Sequence, residues 1–321
     1  MIITVIATGE TALRDLKLLL FSVEQVYSKE QLPSIYIYTD TASLPIISKF
    51  SYGGSIKTRV GLDAYTGLNR QQMERMPPLP SFPGYNQSSE SKHVSAKDSE
   101  LLVLAHTAVP QYGYNSLFKC FTAEKIRALC WASMEGDNVW FLDTDIVLMA
   151  PLPTIPEGTD VALSPHMIRP QDEAKYGRYN AGLLWISATR HTTVLNTWEA
   201  AIPGSRFFEQ GALEELVSPE AGLRSLVLPV QSNFGWWRMW QGVLSPVDIQ
   251  SKFGFNRNLG VNCSGITYEG LPLQSIHTHF GEKNDIATRQ FNAFILDKLT
   301  KLGKYKQAAD LVRFIKNNFS L

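Results

Sequence analysis

The chain has 321 residues, 44% of them hydrophobic and 19% charged, with 30 basic residues balancing 30 acidic ones. This composition predicts a globular protein with a sizeable core. A net charge of zero gives no overall field for nucleic acid, so we expect no nucleic-acid partner. The three cysteines lack metal-site spacing. There is no basic leader and no apolar run approaching ~20 residues, so we expect a cytoplasmic protein.

The first 40 residues predict a strand, a helix and a second strand. Residues 2–7 form a β-branched run that ends at Thr8 and Gly9, and apolar residues at three- and four-residue spacing follow over 11–27. A second apolar run ends at Asp40. This order opens a βαβ unit with a parallel sheet and a right-handed crossover. Ligands bind at the carboxyl ends of such strands, which is where Thr8, Gly9 and Asp40 lie.

Residues 69–115 are rich in proline, serine and other polar residues, and we interpret them as an irregular insertion or mobile loop rather than a second domain. A helix follows from Ser116 and carries Lys125. Residues 286–321 predict two amphipathic helices packed on, or extending, the same domain. Their basic residues allow peripheral membrane contact, although a solvated basic face is the favoured alternative.

Two carboxylates interrupt the apolar run at residues 139–149, which predicts a buried strand. Asp143 and Asp145 are two apart, so on an extended backbone both side chains leave the same face. Their repulsion would raise their pKa values unless a cation lies between them. A hard divalent ion is therefore expected. The alternative is a pair that caps a turn or binds arginine.

Four short motifs occur in a fixed order along residues 1–285, namely Phe141–Asp145, Tyr179–Gly182, Phe208–Leu213 and Ser275–Lys283. This order resembles the GT-A-fold glycosyltransferases, especially the nucleotide-sugar transferases of families 8 and 77. The resemblance implies an α/β GT-A fold for residues 1–285, Rossmann-like, with a mainly parallel mixed sheet and helices on both faces. It also implies transfer of a sugar from a nucleotide-sugar donor, expected to be a UDP-sugar, to a hydroxyl acceptor such as a glycan or glycolipid.

The resemblance further implies a metal site formed by Asp143, Asp145 and His279. The expected ion is Mn²⁺ or Mg²⁺, acting as a Lewis acid on the leaving diphosphate, and an imidazole ligand favours Mn²⁺. His277 is the alternative ligand to His279, because the two histidines are two residues apart.

Thr8, Gly9 and Asp40 are candidates for the nucleoside contact. The resemblance implies further donor contacts: Lys125 as a basic contact to the donor, Lys283 against the diphosphate, Asn180 and Gly182 at the sugar, and Asp143, which is expected to bind the donor as well as the metal. Each has a plain alternative, such as a turn glycine, a helix-capping aspartate or a solvated lysine.

Glu209 and Gln210 are the expected catalytic residues. Gln210 corresponds to the residue beneath the anomeric centre in retaining enzymes. Glu209 replaces the usual aspartate and could instead be a general base for inversion, so the stereochemistry stays open.

Two other functions compete with sugar transfer. A sugar-phosphate nucleotidyltransferase would carry a glycine- and arginine-rich loop after the first strand, whereas residues 8–14 hold one glycine and one arginine. A non-catalytic carbohydrate-binding protein on the same fold is the second rival. The aromatic run at 236–240 fits core packing better than a stacking platform for an acceptor sugar.

Overall fold

The computed structural model describes residues 1–82, 115–256, 265–280, 286–301 and 306–319. Within these ranges the strands are β1 Ile2–Ala7, β2 Ser34–Thr39, β3 Ile56–Val60, β4 Val139–Leu142, β5 Ile146–Leu148, β6 Val161–Pro165, β7 Tyr179–Ile186, β8 Ser225–Val227, β9 Phe234–Gly235, β10 Phe253–Phe255, β11 Ile266–Tyr268, β12 Leu271–Pro272 and β13 Ser275–His277.

The α-helices of the same ranges are α1 Gly9–Val26, α2 Leu44–Ile47, α3 Arg70–Glu74, α4 Leu117–Ser133, α5 Pro170–Tyr176, α6 His191–Ala201, α7 Trp237–Trp240, α8 Pro246–Ser251, α9 Ile286–Lys301 and α10 Lys306–Asn318. Short 3₁₀ helices cover Lys29–Gln31, Asp63–Tyr65, Ile202–Gly204, Gly211–Val217, Pro219–Ala221 and Val230–Ser232.

A seven-stranded sheet in the order β3-β2-β1-β4-β7-β6-β8 forms the centre of the molecule. Strands β1 and β2 are parallel, as expected for a βαβ unit, with Ile2 opposite Ser34 and Ala7 opposite Thr39. Only β7 among these seven strands runs antiparallel to both of its neighbours. The sheet is therefore mixed and mainly parallel, which confirms the expected fold class.

Both faces of the sheet are covered, because the central strands are apolar on both sides. Along β1, Ile3 and Val5 join the core beneath α1, whereas Ile2 and Ile6 join the opposite core with residues of α4 and α6. This alternation follows the two-residue period of a strand. It explains why an almost continuous apolar run is needed here.

The last helix, α10, packs against α1, and α9 packs against α10. The ring of Phe314 on α10 stacks on that of Phe21, with centroids 4.4 Å apart, and the Gln307 side chain donates to the backbone oxygen of Gln25 at 3.3 Å. A third core beneath α9 and α10 contains the buried side chains of Phe234 and Met239. Trp236 and Trp240 are partly buried against the same core, so core packing accounts for part of the aromatic run at 236–240.

The predicted continuous strand over 139–149 is wrong. Strand β4 ends at Leu142 and β5 begins at Ile146, with a turn between them in which the Ile146 amide donates to the Asp143 carbonyl at 3.1 Å. A 3₁₀ helix over Gly211–Val217 directly follows Glu209 and Gln210. Of the predicted insertion at 69–115, residues 83–114 lie outside the described residues. No helix in the described ranges combines the length and apolarity that a membrane span needs.

Candidate active site

Three of the predicted donor residues lie together where β1 and β2 end. The Thr8 hydroxyl donates to Oδ2 of Asp40, and the Ser43 amide donates to Oδ1 at 2.7 Å. Burial alone would raise the pKa of Asp40, but the hydrogen bonds from Ser43 and Thr8 hold it below its usual value. Gly9 has φ +79°, and the space around its missing side chain is open. Asp40 thus caps the turn before α2, beside an accessible backbone.

Asp145 is the centre of a cluster of potential metal ligands. Its Oδ1 lies 2.9 Å from Nε2 of His277, and its Oδ2 lies 2.6 Å from Nδ1 of His279. One ligand atom from each of the three residues can be chosen so that all lie within 4.8 Å of one another. Although burial opposes ionisation, the two histidines hold the pKa of Asp145 well below its usual range.

The pairing of β5 with β13 explains this cluster. The strands are antiparallel and place His277 opposite Ile146, next to Asp145. The Thr278 amide and hydroxyl both donate to the Asp145 carbonyl at 2.9 Å. The backbone around Asp145 is therefore fixed, and the two histidines on either side of Thr278 both reach its carboxylate. Sequence reasoning favoured His279, but the structure brings His277 there as well.

The chemistry of this cluster fits a divalent transition metal. One carboxylate and two imidazoles form a mixed oxygen and nitrogen donor set that suits Mn²⁺ better than Mg²⁺. Among the described residues, Nδ1 of His277 is buried and has no hydrogen-bond partner, and Oδ1 of Asp145 has the His277 ring nitrogen at 2.9 Å as its neighbour. Buried polar atoms without a partner are costly, and a cation bound between these groups would add a partner for the carboxylate.

Asp143 takes part in a different interaction, with Lys125. The Lys125 ammonium lies 3.1 Å from Oδ1 of Asp143, 3.0 Å from Oε1 of Glu209 and 3.3 Å from the Ala181 carbonyl. Burial alone would lower the pKa of Lys125. The attraction of Asp143 and Glu209 outweighs burial and raises that pKa above its usual value, so the side chain stays an ammonium. For Asp143, burial and the neighbouring Asp145 outweigh Lys125 and raise its pKa. The buried carboxylate of Glu209 and the half-buried carboxylate of Asp143 therefore share one cation.

The Asn180 amide is fully hydrogen-bonded within the protein. Its Nδ2 lies 3.3 Å from both Oε1 of Gln210 and Nε2 of His166, and its Oδ1 accepts from the Asn233 side chain and the Gly182 amide, both at 2.9 Å. A primary amide has two donor hydrogens and two acceptor lone pairs, so no capacity is left over. Sequence reasoning found Asn180, Gln210 and Gly182 but missed His166 and Asn233, which lie in none of the motifs.

The Gln210 side-chain amide also forms several hydrogen bonds within the protein. Its Oε1 also accepts from the Ala181 amide at 3.2 Å, and its Nε2 donates to the Tyr176 carbonyl at 2.8 Å. Within the described ranges the second amide hydrogen has no acceptor, so it could serve a substrate. Phe208, two residues earlier, has the left-handed φ of +41° that is unusual for a bulky residue, and such backbone strain is concentrated at functional sites.

Gly182 lies between the two charged clusters. A side-chain Cβ at this position would lie 2.4 Å from Cε1 of His277, 2.7 Å from Oδ2 of Asp143 and 2.9 Å from Oδ1 of Asn180. Only glycine leaves these three groups in place. The predicted Lys283 lies outside the described residues.

No protein-family model matches the chain. The search of curated proteins found no similar sequence. Solved structures do resemble it. The galactosyltransferase LgtC, in complex with donor and acceptor sugar analogs, has a TM-score of 0.50 and 12% identity over 100% of this chain and 97% of LgtC.

Two further structures are more distant. Mouse xyloside xylosyltransferase 1 has a TM-score of 0.44 and 11% identity over 86% of this chain and 96% of its own. The glycosyltransferase GlyE of Streptococcus pneumoniae TIGR4 has a TM-score of 0.43 and 12% identity over 99% of this chain and 64% of its own. The match to LgtC shows that the chain has the GT-A fold of glycosyltransferases.

Proposed function

We propose that this protein is a metal-dependent glycosyltransferase, which moves a sugar from a nucleotide-sugar donor, a UDP-sugar, to a hydroxyl acceptor such as a glycan or glycolipid. The observation that carries the proposal is the position of Asp145 between His277 and His279. Asp145 lies in the turn that follows the carboxyl end of β4 in a GT-A sheet, two residues after Asp143. Ligands bind at this edge in open α/β sheets.

Asp145 and His279, with His277 and Asp143 beside them, would hold Mn²⁺ or Mg²⁺. When bound, the ion supplies a Lewis acid that stabilises the charge developing on the leaving nucleoside diphosphate. Lys283 would add a positive charge at the diphosphate. At the other end of the donor, Asp40 and the open backbone at Gly9 would receive the nucleoside, with Thr8 fixing the Asp40 carboxylate.

Glu209 and Gln210 are the proposed catalytic pair. Oε1 of Glu209 lies 3.0 Å from the buried Lys125 ammonium, so this ion pair engages the carboxylate that a general base for inversion would use. Gln210 has one amide hydrogen without an acceptor in the part of the chain that the structure describes, which suits a residue placed beneath the anomeric carbon. Asn180 and Gly182 would then shape the sugar pocket, Asn180 by holding Gln210 and Gly182 by leaving room.

The acceptor is proposed from the reaction class alone. Membrane contact through α10 has less support, because Lys306 and Arg313 both pair with Asp310, at 2.6 and 3.3 Å. Such pairing on one helix face is typical of a solvated surface.

The test is nucleoside diphosphate release from UDP-galactose, UDP-glucose, UDP-N-acetylglucosamine and UDP-xylose, in Mn²⁺ and in EDTA. We expect Mn²⁺-dependent release from one donor, lost in Asp145→Asn. Asp297→Asn changes a carboxylate exposed on α9 and paired with Lys301, and should retain activity. Release of pyrophosphate from a nucleoside triphosphate and sugar phosphate would instead identify a nucleotidyltransferase. Donor binding without turnover would indicate a carbohydrate-binding protein.

A further inference from the structure

We infer that His166 is a positioning residue that fixes the orientation of the Asn180 amide and, through it, the amide of Gln210. The inference rests on the proposed function for the role of Gln210. His166 lies directly after β6, and its backbone amide donates to the Arg178 carbonyl at 2.7 Å. Its imidazole is 5% exposed and faces the interior of the site.

The tautomer of His166 follows from its neighbours. Its Nδ1 lies 2.7 Å from the Gly177 carbonyl, which can only accept, so Nδ1 carries the hydrogen. In a neutral ring Nε2 then has a lone pair, and this lone pair faces Nδ2 of Asn180 at 3.3 Å. Burial lowers the pKa of His166 to about 4, so the ring is neutral at neutral pH. Asn180 must therefore donate to His166.

This requirement sets the whole Asn180 amide. If the amide were rotated by 180°, its oxygen would face the lone pair of His166 and the Oε1 of Gln210. Its nitrogen would face the donor groups of Asn233 and Gly182. The contacts with Nε2 of His166 and with the Gly182 backbone amide, whose acceptor and donor roles are fixed, would both become repulsive, and unpaired buried polar groups are costly.

Gln210 receives its orientation from the same chain of bonds. Its Oε1 accepts from Asn180 and from the Ala181 amide, which turns Nε2 towards the Tyr176 carbonyl. The remaining hydrogen on Nε2 is the group that Gln210 can offer to a substrate. The ring of Trp237 packs edge-on against His166 with centroids 5.6 Å apart and limits its rotation.

Two variants test this inference. His166→Gln keeps a side-chain oxygen that can replace Nε2 as acceptor, whereas His166→Leu fills the space without one. We expect His166→Leu to lower kcat by roughly 10- to 100-fold, the cost of losing one orienting hydrogen bond, with donor KM within about twofold of wild type. His166→Gln should recover most of kcat. If His166 were merely structural, the Tm of both variants would change, but kcat would not fall in His166→Leu and recover in His166→Gln.

A second measurement does not depend on turnover. In protein labelled with ¹⁵N at asparagine and glutamine side chains, the amide hydrogens of Asn180 and Gln210 should exchange slowly in wild type and His166→Gln. They should exchange faster in folded His166→Leu. Wild-type exchange rates in His166→Leu would overturn the inference, as would wild-type kcat in that variant. If the wild-type protein turned over none of the donors, that result would count against the proposed function. The amide-hydrogen exchange rates of Asn180 and Gln210 would then decide the role of His166.

Discussion

The Lys125 ammonium lies 3.0 Å from a carboxylate oxygen of Glu209, and both side chains are buried at the centre of the candidate site. The same nitrogen lies 3.1 Å from Asp143. One cation thus links a residue of the predicted metal motif to the predicted catalytic pair. Asp143 therefore contacts Lys125, whereas Asp145 contacts the two histidines.

Removing the positive charge should destabilise the fold. Lys125→Met leaves Asp143 and Glu209 facing each other without a cation, and breaking a buried ion pair in this way costs about 3–5 kcal/mol. Urea unfolding should show this loss. The double variant Lys125→Met/Glu209→Gln should recover part of it, because one unpaired charge is removed. Lys57→Met breaks an exposed pair with Glu135 and should change stability little. Equal losses in Lys125→Met and Lys57→Met would contradict this account.

Gly182 and Gly204 form a matched pair for substitution by alanine. A Cβ at Gly182 would meet His277 and Asp143 at 2.4 and 2.7 Å, whereas one at Gly204 would meet nothing within 4 Å. Overpacking of this kind costs about 1–3 kcal/mol, so Gly182→Ala should lower the Tm and abolish Mn²⁺-dependent turnover. Gly204→Ala should leave both unchanged. Normal turnover in Gly182→Ala would show that the space beside it is not needed.

The stability of the protein should depend on His166 in mildly acidic solution. Because the folded-state pKa is about 4, the unfolded chain takes up a proton first as the pH falls below about 6.5. The contribution of neutral His166 is complete above that pH and is lost progressively down to pH 4. At pH 4.5 the loss amounts to about 2–3 kcal/mol. Urea unfolding at pH 7 and 4.5 should therefore show a smaller pH effect in His166→Gln than in wild type. An identical pH effect in both proteins would refute this prediction.

Metal binding should stabilise the folded protein. A ligand that binds only the folded state raises stability by about 2.7 kcal/mol at one hundred times its Kd. We expect Mn²⁺ to raise the Tm of wild type, and the double variant His277→Gln/His279→Gln to show no such rise. His191→Gln, on α6 and remote from Asp145 in the chain, serves as the control and should keep the wild-type response. A full Mn²⁺ response in the double variant would place the ion elsewhere.

The first βαβ unit could be predicted from sequence because its signals are local. The apolar run of β1, the leucine spacing of α1 and the turn at Gly9 agree with one another. The acidic pair stood out for a similar reason, since carboxylates within an apolar run need a partner. These features define the sheet edge at which the candidate site lies.

The partners within the site could not be predicted, because they depend on distant pairings. The turn after Leu142 separates Asp143 from Asp145, and the pairing of β5 with β13 decides which histidines reach Asp145. His166 lies next to Asn180 only because β6 and β7 are antiparallel neighbours with a register shift after Leu163. Neither residue type nor spacing indicates such a contact.

The most direct test of the central claim is calorimetric titration of UDP into the wild-type protein and Asp145→Asn, in Mn²⁺ and in EDTA. The account predicts saturable UDP binding by wild type in Mn²⁺, at least tenfold weaker binding in EDTA, and the same weak binding by Asp145→Asn in either buffer, because a bridging ion carries about 1.4 kcal/mol or more of the affinity. Equal UDP affinity in Mn²⁺ and EDTA, or unchanged Mn²⁺-dependent affinity in Asp145→Asn, would contradict a metal-dependent donor site at Asp145.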